Sequence, residues 1–175
     1  ADQTACNTGD KMVDYLRGSE YPYYRARASK LGDIVGSAPT YEGKTAEAYT
    51  DPSYASYATA RKSRPEMIYV GGNDGIVHAF SASVSGGNEV WAFIPSEVRN
   101  RMWKLGDKSY GSQHQFFVDG PAIVADVQIG GSWKTVLVGG LGSGGKSYYA
   151  LDVTDPVNPK LLWEFADANL GYTHA

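Results

Sequence analysis

The sequence predicts an all-β protein built from about two four-stranded antiparallel sheets. Two stretches align as repeats: MIYVGGNDGIVHAFSASVSGGNEVWAFIP, from Met67 to Pro95, and TVLVGGLGSGGKSYYALDVTDPVNPKLLWEFAD, from Thr135 to Asp167. Each has an apolar run ending in Val-Gly-Gly, a Gly-containing turn, a second apolar run, a polar turn and a third run ending in aromatic-x-Phe. The 13 Tyr, 4 Trp, 5 Phe and 21 Gly among 175 residues suit this fold class, because aromatic side chains fit pleated surfaces and Gly accepts positive φ in tight turns.

A further apolar segment, which contains proline, precedes each repeat. These segments are DIVGSAPTY, with Pro39, and FFVDGPAIVADVQI, with Pro121. Four short antiparallel strands per repeat are typical of a β-propeller blade. One blade cannot bury both of its faces, so blades stack around a common axis. We therefore predict a partial β-propeller of two blades with short helical inserts.

The chain divides into five segments on this interpretation. They are a lead-in helix and connector over 1–30, a first blade over 31–95 with a long loop over 42–65, a helical insert over 96–115, a second blade over 116–168, and the start of a third, truncated blade over 169–175. The lead-in helix is expected from Lys11 to Arg17, with Gly18 as its C-terminal cap.

The insert between the two repeats contains SEVRNRMWKL, which predicts a short helix with Ser96 as N-cap and Gly106 at its end. Its apolar residues fall on one face: Val98, Met102 and Leu105.

The two insertions, 45–64 and 96–115, are where we expect partner contacts, because loops on a rigid scaffold vary easily. Trp103 and Tyr110 are the candidate contact residues, as exposed aromatic side chains. The alternative is that both insertions only cover blade edges.

The segment GLGSGGKS, from Gly140 to Ser147, matches the phosphate-loop pattern G-x4-G-K-[ST]. That loop needs a following helix, whose N-terminal amides hold the phosphates. Here SYYALDVTDPVNP follows, which predicts a strand and a turn, and the equivalent GGNDG of the first repeat has no Lys. We interpret Gly140, Gly145 and Lys146 as part of an inter-strand turn and not as a cofactor site; an ATP-binding protein is the alternative.

Neither the histidines nor the acidic residues form a metal-binding pattern. His78, in IVHAF, is interpreted as a strand histidine with satisfied hydrogen bonds, the alternative being a pocket-lining side chain; His114 is expected to be exposed. The NDG at 73–75 and the pair Asp152 and Asp155 lack the D-x-[DN]-x-[DN]-G pattern of a calcium loop. We expect these residues to cap turns, and we predict no metal ligand.

No catalytic residue is predicted, because the sequence has no G-x-S-x-G elbow and Cys6 is its only cysteine. We interpret Cys6 as an incidental thiol, with a bridge to a cysteine in an upstream segment as the alternative. Trp91 and Trp163 hold equivalent repeat positions, so we expect them to pack between blades and not to form a carbohydrate platform.

Charge and hydropathy exclude two classes of partner. The net charge is −3 with no basic stripe, which argues against nucleic acid binding. No run of 18 apolar residues is present, so no membrane span is predicted. The first ten residues, ADQTACNTGD, lack the features of a signal peptide; if the protein is exported, its signal is expected either upstream or already removed.

Several long strings are similar to a known family. LGDIVGSAPTYEG, MIYVGGNDGIVHAFSA, WAFIPSEV, FFVDGPAIVADV, WKTVLVGGLGSGGKSYYALDVTDP and LWEF occur in this order. They resemble the C-terminal propeller of PilY-type (PilC) type IV pilus biogenesis factors, from about Lys11 to the last residue.

The resemblance implies a quinoprotein-like β-propeller in an exported, non-enzymatic protein of the periplasm or outer membrane, the cell surface and the pilus tip. It implies roles in pilus assembly, twitching motility and surface attachment, with minor pilins, pilus-tip proteins and host-surface ligands as partners. The family's calcium site, where present, is an Asp-rich loop later in the propeller, so no cofactor is expected in this chain. A quinone-dependent (PQQ-type) dehydrogenase is the alternative function, and open blade edges are expected to favour self-association.

Overall fold

The computed structural model describes residues 8–44 and 47–170 and contains the two predicted four-stranded antiparallel sheets. The first blade consists of β1 (Thr40–Glu42), β2 (Met67–Gly71), β3 (Val77–Ser81) and β4 (Glu89–Phe93). The second consists of β5 (Ala122–Ile129), β6 (Ser132–Gly140), β7 (Ser147–Asp152) and β8 (Lys160–Ala166). In both, strands adjacent in sequence are adjacent in the sheet, as in a propeller blade.

The strand register confirms that the two blades are copies of one unit. Ala79 of β3 lies opposite Trp91 of β4, and Ala150 of β7 lies opposite Trp163 of β8. Both blades also have a register shift immediately after that alanine. A small residue beside each indole leaves room for the large ring on the pleated surface.

The blades pack together through one apolar core. In the first blade Met67, Tyr69 and Val77 are completely buried, and Leu137 of the second blade is equally inaccessible. Burying an apolar side chain of this size stabilises a fold by about 1.5–3 kcal/mol, so this shared core contributes strongly to stability.

The segments before β1 and β5 differ from the prediction. We expected strands from residues 33 and 116, but the ladders begin only at Thr40 and Ala122. The preceding backbone is instead bound by carboxylates: the Gly36 N–H donates to Asp119 at 2.7 Å, and the Gly32 N–H donates to Asp74 at 2.8 Å. These bonds satisfy the backbone without a sheet partner.

The long loop predicted over 42–65 contains a helix, α2 (Tyr54–Arg61). The prediction of an entirely irregular loop was therefore wrong in this part. The helix has no apolar stripe, since the side chains that it buries are Tyr54 and Arg61, one at each end. Tertiary contacts, and not amphipathicity, hold it in place.

The N-terminal helix and the insert agree with the prediction only in part. Helix α1 spans Gly9–Leu16, and Gly18 has φ 107°, as its capping position requires. The predicted helix from Ser96 is interrupted: α3 (Ser96–Arg99) is followed by 3₁₀ turns at Met102–Gly106 and Tyr110–Ser112. The three apolar residues predicted to share a face are all buried: Val98, Met102 and Leu105.

Ser96 is not the N-cap of α3, because Pro95 occupies that position. The Ser96 N–H and hydroxyl both donate to the Glu164 carboxylate of β8, each at 2.6 Å. A carboxylate from the neighbouring blade thus binds the start of the helix, where negative charge is favourable.

Two predictions concern residues outside the described part of the chain. Cys6 lies there, and so do residues 171–175 of the third-blade start that was expected over 169–175; the described residues Ala168–Leu170 form a 3₁₀ turn. Within the described residues, no helix is long and apolar enough to cross a membrane.

Candidate functional site

The Gly-rich segment forms a turn between two strands. Gly142–Gly144 is a 3₁₀ turn, and Lys146 is followed directly by strand β7 and not by a helix. The Lys146 N–H donates to both carboxylate oxygens of Glu97, at 3.0 and 3.1 Å, and its ammonium donates to the Ala168 carbonyl at 2.8 Å. The Glu97 carboxylate thus accepts the hydrogen bond of the Lys146 amide, and the Lys146 ammonium is directed to Ala168, away from the Gly-rich turn. That this loop binds no nucleotide stays a prediction.

The glycines of this turn serve close packing. A Cβ at Gly144 would overlap the Phe117 carbonyl oxygen. The guanidinium of Arg101 donates to the carbonyls of Gly144 and Phe116 and lies 4.7 Å from the ring of Phe117. The insert 96–115 therefore fixes this turn against the start of the second blade.

The first insertion joins both blades through a buried ion cluster. Arg61 of α2 contacts Asp126 of β5 at 2.6 Å and Glu42 of β1 at 3.3 Å. Tyr69 donates to Glu42 at 3.0 Å, while Thr135 donates to Asp126 at 2.7 Å. Burial raises the pKa of Glu42 even though its hydrogen bond with Tyr69 and the charge of Arg61 act in the opposite direction.

The same insertion covers the edge of strand β5 and the hairpin that follows it. Tyr49 donates to the Asp126 carbonyl at 2.9 Å, and its ring stacks on Trp133 at 5.3 Å. The Trp133 indole N–H donates to the hydroxyl of Ser53 at 2.9 Å. These contacts favour the edge-covering alternative for the first insertion, because a free edge exposes unpaired backbone groups.

The two candidate partner-contact residues differ in exposure. Trp103 is 55% exposed. Tyr110 is only 6% exposed, so its prediction as an exposed aromatic was wrong. Its hydroxyl donates to the Gln115 carbonyl at 3.0 Å, and the Arg25 guanidinium lies 4.7 Å above its ring. Both contacts are made within the molecule, which is why sequence position alone did not reveal the burial.

His78 is a buried strand histidine with hydrogen-bond partners, as the first interpretation predicted, and it also lines a pocket, as the alternative proposed. Its Nδ1 lies 2.5 Å from Glu89 Oε1, and its Nε2 lies 3.0 Å from Asp74 Oδ2. Because ionised carboxylates only accept hydrogen bonds, both ring nitrogens fit best as donors. Burial opposes the charged imidazolium, yet Asp74 and Glu89 together raise the pKa of His78. His114 is exposed, as expected, and contacts Asp33 at 3.0 Å.

The acidic turn residues cap backbone groups as predicted. Asp74 accepts the Ile76 N–H at 3.2 Å, Asp152 accepts the Thr154 N–H at 3.0 Å, and Asp155 accepts the Val157 N–H at 3.2 Å. No group of three His, Cys, Asp or Glu side chains suited to a metal ion occurs within 8–44 and 47–170.

A cleft of about 240 Å³ lies between the connector, the turn from β2 to β3 and the insert 96–115. Arg25 and Arg27 line it, but both are already engaged. Arg25 Nε donates to the Leu105 carbonyl at 3.0 Å, and Arg27 donates to the Tyr15 carbonyl at 2.6 Å. These guanidiniums therefore hold the connector in place.

The two tryptophans at equivalent positions occupy different environments. The Trp91 indole N–H donates to the Pro156 carbonyl of the second blade at 2.8 Å, and Phe93 packs on Tyr149 with ring centroids 5.5 Å apart. Trp91 therefore packs between blades, as predicted. Trp163 is 45% exposed on the outer strand of the second blade.

Sequence reasoning missed the charged residues that join the segments. Asp126 gave a detectable signal, since a charged residue interrupts the apolar strand AIVADVQI. Arg61, Glu97 and Glu164 gave none, because each has its partner far away in sequence.

Comparison with known proteins agrees with the fold. The family model described as the PilY1 β-propeller domain matches residues 31–171. The chain is 45% identical, over 94% of its length, to the type IV pilus biogenesis factor PilY1 of Pseudomonas aeruginosa PAO1, and 39% identical, over 97%, to a PilY1 homolog of Xylella fastidiosa Temecula1. It spans 15% of the length of each of these relatives.

A solved structure supports the same relationship. The crystal structure of the Pseudomonas aeruginosa PilY1 C-terminal domain is 41% identical, with a TM-score of 0.59 over 76% of this chain and 27% of that one. The two copies of the blade, their register and this match together establish a partial β-propeller, and the chain belongs to the PilY1 β-propeller domain family.

Proposed function

We propose that this chain is a non-enzymatic propeller module of a type IV pilus biogenesis and tip-associated adhesin factor. It supports pilus assembly, twitching motility and surface attachment through protein–protein contacts. The observation that carries the proposal is the family match across residues 31–171, together with relatives that are named biogenesis factors.

The geometry of the Gly-rich turn supports a non-enzymatic role. Its Lys146 amide is bound by Glu97, and the Lys146 ammonium is bound to the Ala168 carbonyl. The most enzyme-like motif of the sequence thus uses its polar groups for internal contacts, as a scaffold would.

The proposal extends to location and partners. The module acts in an exported protein at the periplasm or outer membrane, the cell surface and the pilus tip, where it contacts minor pilins, tip proteins and host-surface ligands. It binds no nucleic acid and no cofactor in this segment, and any calcium site lies elsewhere in the parent propeller. Self-association through open blade edges belongs to the same proposal, and the partly exposed Trp163 on the last strand of the second blade supports it.

A chimera tests the proposal. The matching segment of PilY1 in Pseudomonas aeruginosa PAO1, 45% identical to this chain, is replaced by the chain in a strain that lacks its own copy. We expect surface pili and twitching zones close to those of the strain complemented with its native protein. A chimera that is exported at the normal level but restores neither pili nor twitching would refute the proposed role.

The variant Lys146→Ala separates a scaffold from a nucleotide-dependent module in the same assay. Among the residues that the structure describes, its ammonium bonds only to the Ala168 carbonyl, at an exposed position, so the fold is expected to persist. Unchanged piliation supports the non-enzymatic role, whereas complete loss with normal export would contradict it.

A further inference from the structure

The insert between the blades presents an exposed indole from a rigid base. Met102 and Leu105, on either side of Trp103 in the 3₁₀ turn, are 3% and 4% exposed and belong to the common core. Because these neighbours point inward, Trp103 is directed outward. An aromatic side chain held in this way loses little conformational entropy on binding.

A second segment of the chain lies beside this turn. The Lys104 ammonium donates to Gln115 Oε1 at 3.3 Å, and Arg101 Nη1 donates to the Phe116 carbonyl at 2.9 Å. Phe116 is 37% exposed and adds exposed apolar area beside this turn. We refer to the following exposed or half-buried residues as the Trp103 patch: Arg99, Trp103, Lys104, Lys108 and Phe116.

The insert carries more positive than negative charge. Within the described residues, none of the cations Arg99, Lys104 and Lys108 forms a salt bridge. The insert 96–115 also contains two acids: Glu97 accepts the Lys146 N–H, and Asp107 accepts the N–H and hydroxyl of Ser109 at 2.8 and 2.7 Å. These bonds come from neutral donors and do not remove the charge of the acids, but the insert has four cations, so its net charge is +2 on a chain whose net charge is −3.

We propose that the Trp103 patch binds an acidic segment of a partner protein. Carboxylates of that segment pair with Arg99 and Lys108, and an apolar side chain of the segment packs on the Trp103 indole. Central aromatic residues ringed by charges are a common anchor in protein interfaces, and opposite charge speeds association. The inference rests on the proposed function, since it names the chemistry of one partner of that module.

Titration with a synthetic peptide tests the patch directly. The probe is a fluorescent Glu-rich peptide that contains one Leu-Phe pair, and its control is the same peptide with Gln in place of Glu. We expect saturable binding of the Glu peptide that weakens as salt is added, and no binding of the Gln peptide. Equal binding of both peptides, or binding of neither, would refute the proposal.

Matched variants locate the site. Trp103→Ala, and separately the double change Arg99→Glu and Lys108→Glu, are expected to weaken peptide binding by about tenfold or more. Val84→Ala and Lys62→Glu, exposed residues outside the insert, are expected to leave it unchanged. Circular dichroism melts confirm folding of each variant, and Lys108→Glu alone provides a test on an exposed residue if Trp103→Ala fails to fold.

Other occupants give distinguishable results. Duplex DNA or anionic phosphatidylserine vesicles that bind more tightly than the peptide, and lose binding in the same variants, would overturn the assignment to an acidic protein segment. The chimera assay keeps this inference separate from the proposed function. Restored pili without peptide binding refute only the patch, whereas peptide binding without restored pili refutes only the pilus role.

Discussion

Arg61 of α2 and Asp126 of β5 lie 2.6 Å apart, with the arginine 5% exposed and the aspartate side chain fully buried. Arg61 also contacts Glu42 of β1, so one guanidinium joins the insertion to the first strand of each blade. Removing one member of a buried ion cluster is costly because it leaves a charge without a partner.

Arg61→Ala is therefore expected to lower the free energy of unfolding by about 3–5 kcal/mol. The measurement is urea denaturation followed by circular dichroism. Lys62→Ala, at the exposed neighbouring position, is the matched control and is expected to change stability by less than about 0.5 kcal/mol. Equal effects of the two changes would show that the cluster does not hold the insertion.

His78 predicts a pH-dependent contribution to stability. Its pKa is raised in the folded state above its ordinary value of about 6.5. The stabilisation that charged His78 gains from Asp74 and Glu89 is thus fully present at pH values below its ordinary pKa. It is lost as the pH rises through the folded-state pKa.

The measurement compares the unfolding free energy of the wild type with that of His78→Gln between pH 5 and pH 9, in steps of about one unit. We expect the advantage of the wild type to shrink as the pH rises. Gly32 donates its N–H to Asp74, so the protection of the Gly32 amide, measured as its exchange rate relative to the intrinsic rate at the same pH, is expected to fall over the same range. A difference that stays constant or grows with pH would contradict the assignment.

The two equivalent tryptophans provide an internal comparison. Trp91→Phe removes the indole bond to the Pro156 carbonyl and is expected to cost about 0.5–1.5 kcal/mol, with a further loss from poorer packing between the blades. Trp163→Phe, at the partly exposed equivalent position, is the control and is expected to cost clearly less. Equal losses in chemical denaturation would mean that Trp91 does not act between the blades.

The Gly-rich turn predicts that ATP does not bind. Titration of the chain with ATP and magnesium by calorimetry is expected to give no saturable heat, because the Lys146 amide and ammonium already have internal partners. Saturable binding that disappears in Lys146→Ala would show that the turn is a nucleotide site after all.

The strands of both blades could be predicted because the information for them is local. The Val-Gly-Gly runs and the positions of Trp91 and Trp163 recur in the sequence, and repeated local patterns give repeated structure. Helix α2 could not be predicted, since its anchor Arg61 finds Asp126 only in the folded protein. The burial of Tyr110 has the same origin, because the Arg25 guanidinium above its ring comes from the connector, far away in sequence.

Gly144 and Gly111 differ in whether their surroundings have room for a side chain. A Cβ at Gly144 would overlap the Phe117 carbonyl, whereas a Cβ at Gly111 would meet no atom within 4 Å. Neither residue has a positive φ, so backbone conformation does not distinguish them.

Gly144→Ala is expected to destabilise the protein by about 1–3 kcal/mol through overpacking. Gly111→Ala is expected to be neutral or to stabilise it by up to about 1 kcal/mol, because alanine restricts the unfolded chain. Thermal melts of the two variants test this contrast, and a Gly144→Ala protein as stable as Gly111→Ala would show that the turn does not need its close contact with the second blade.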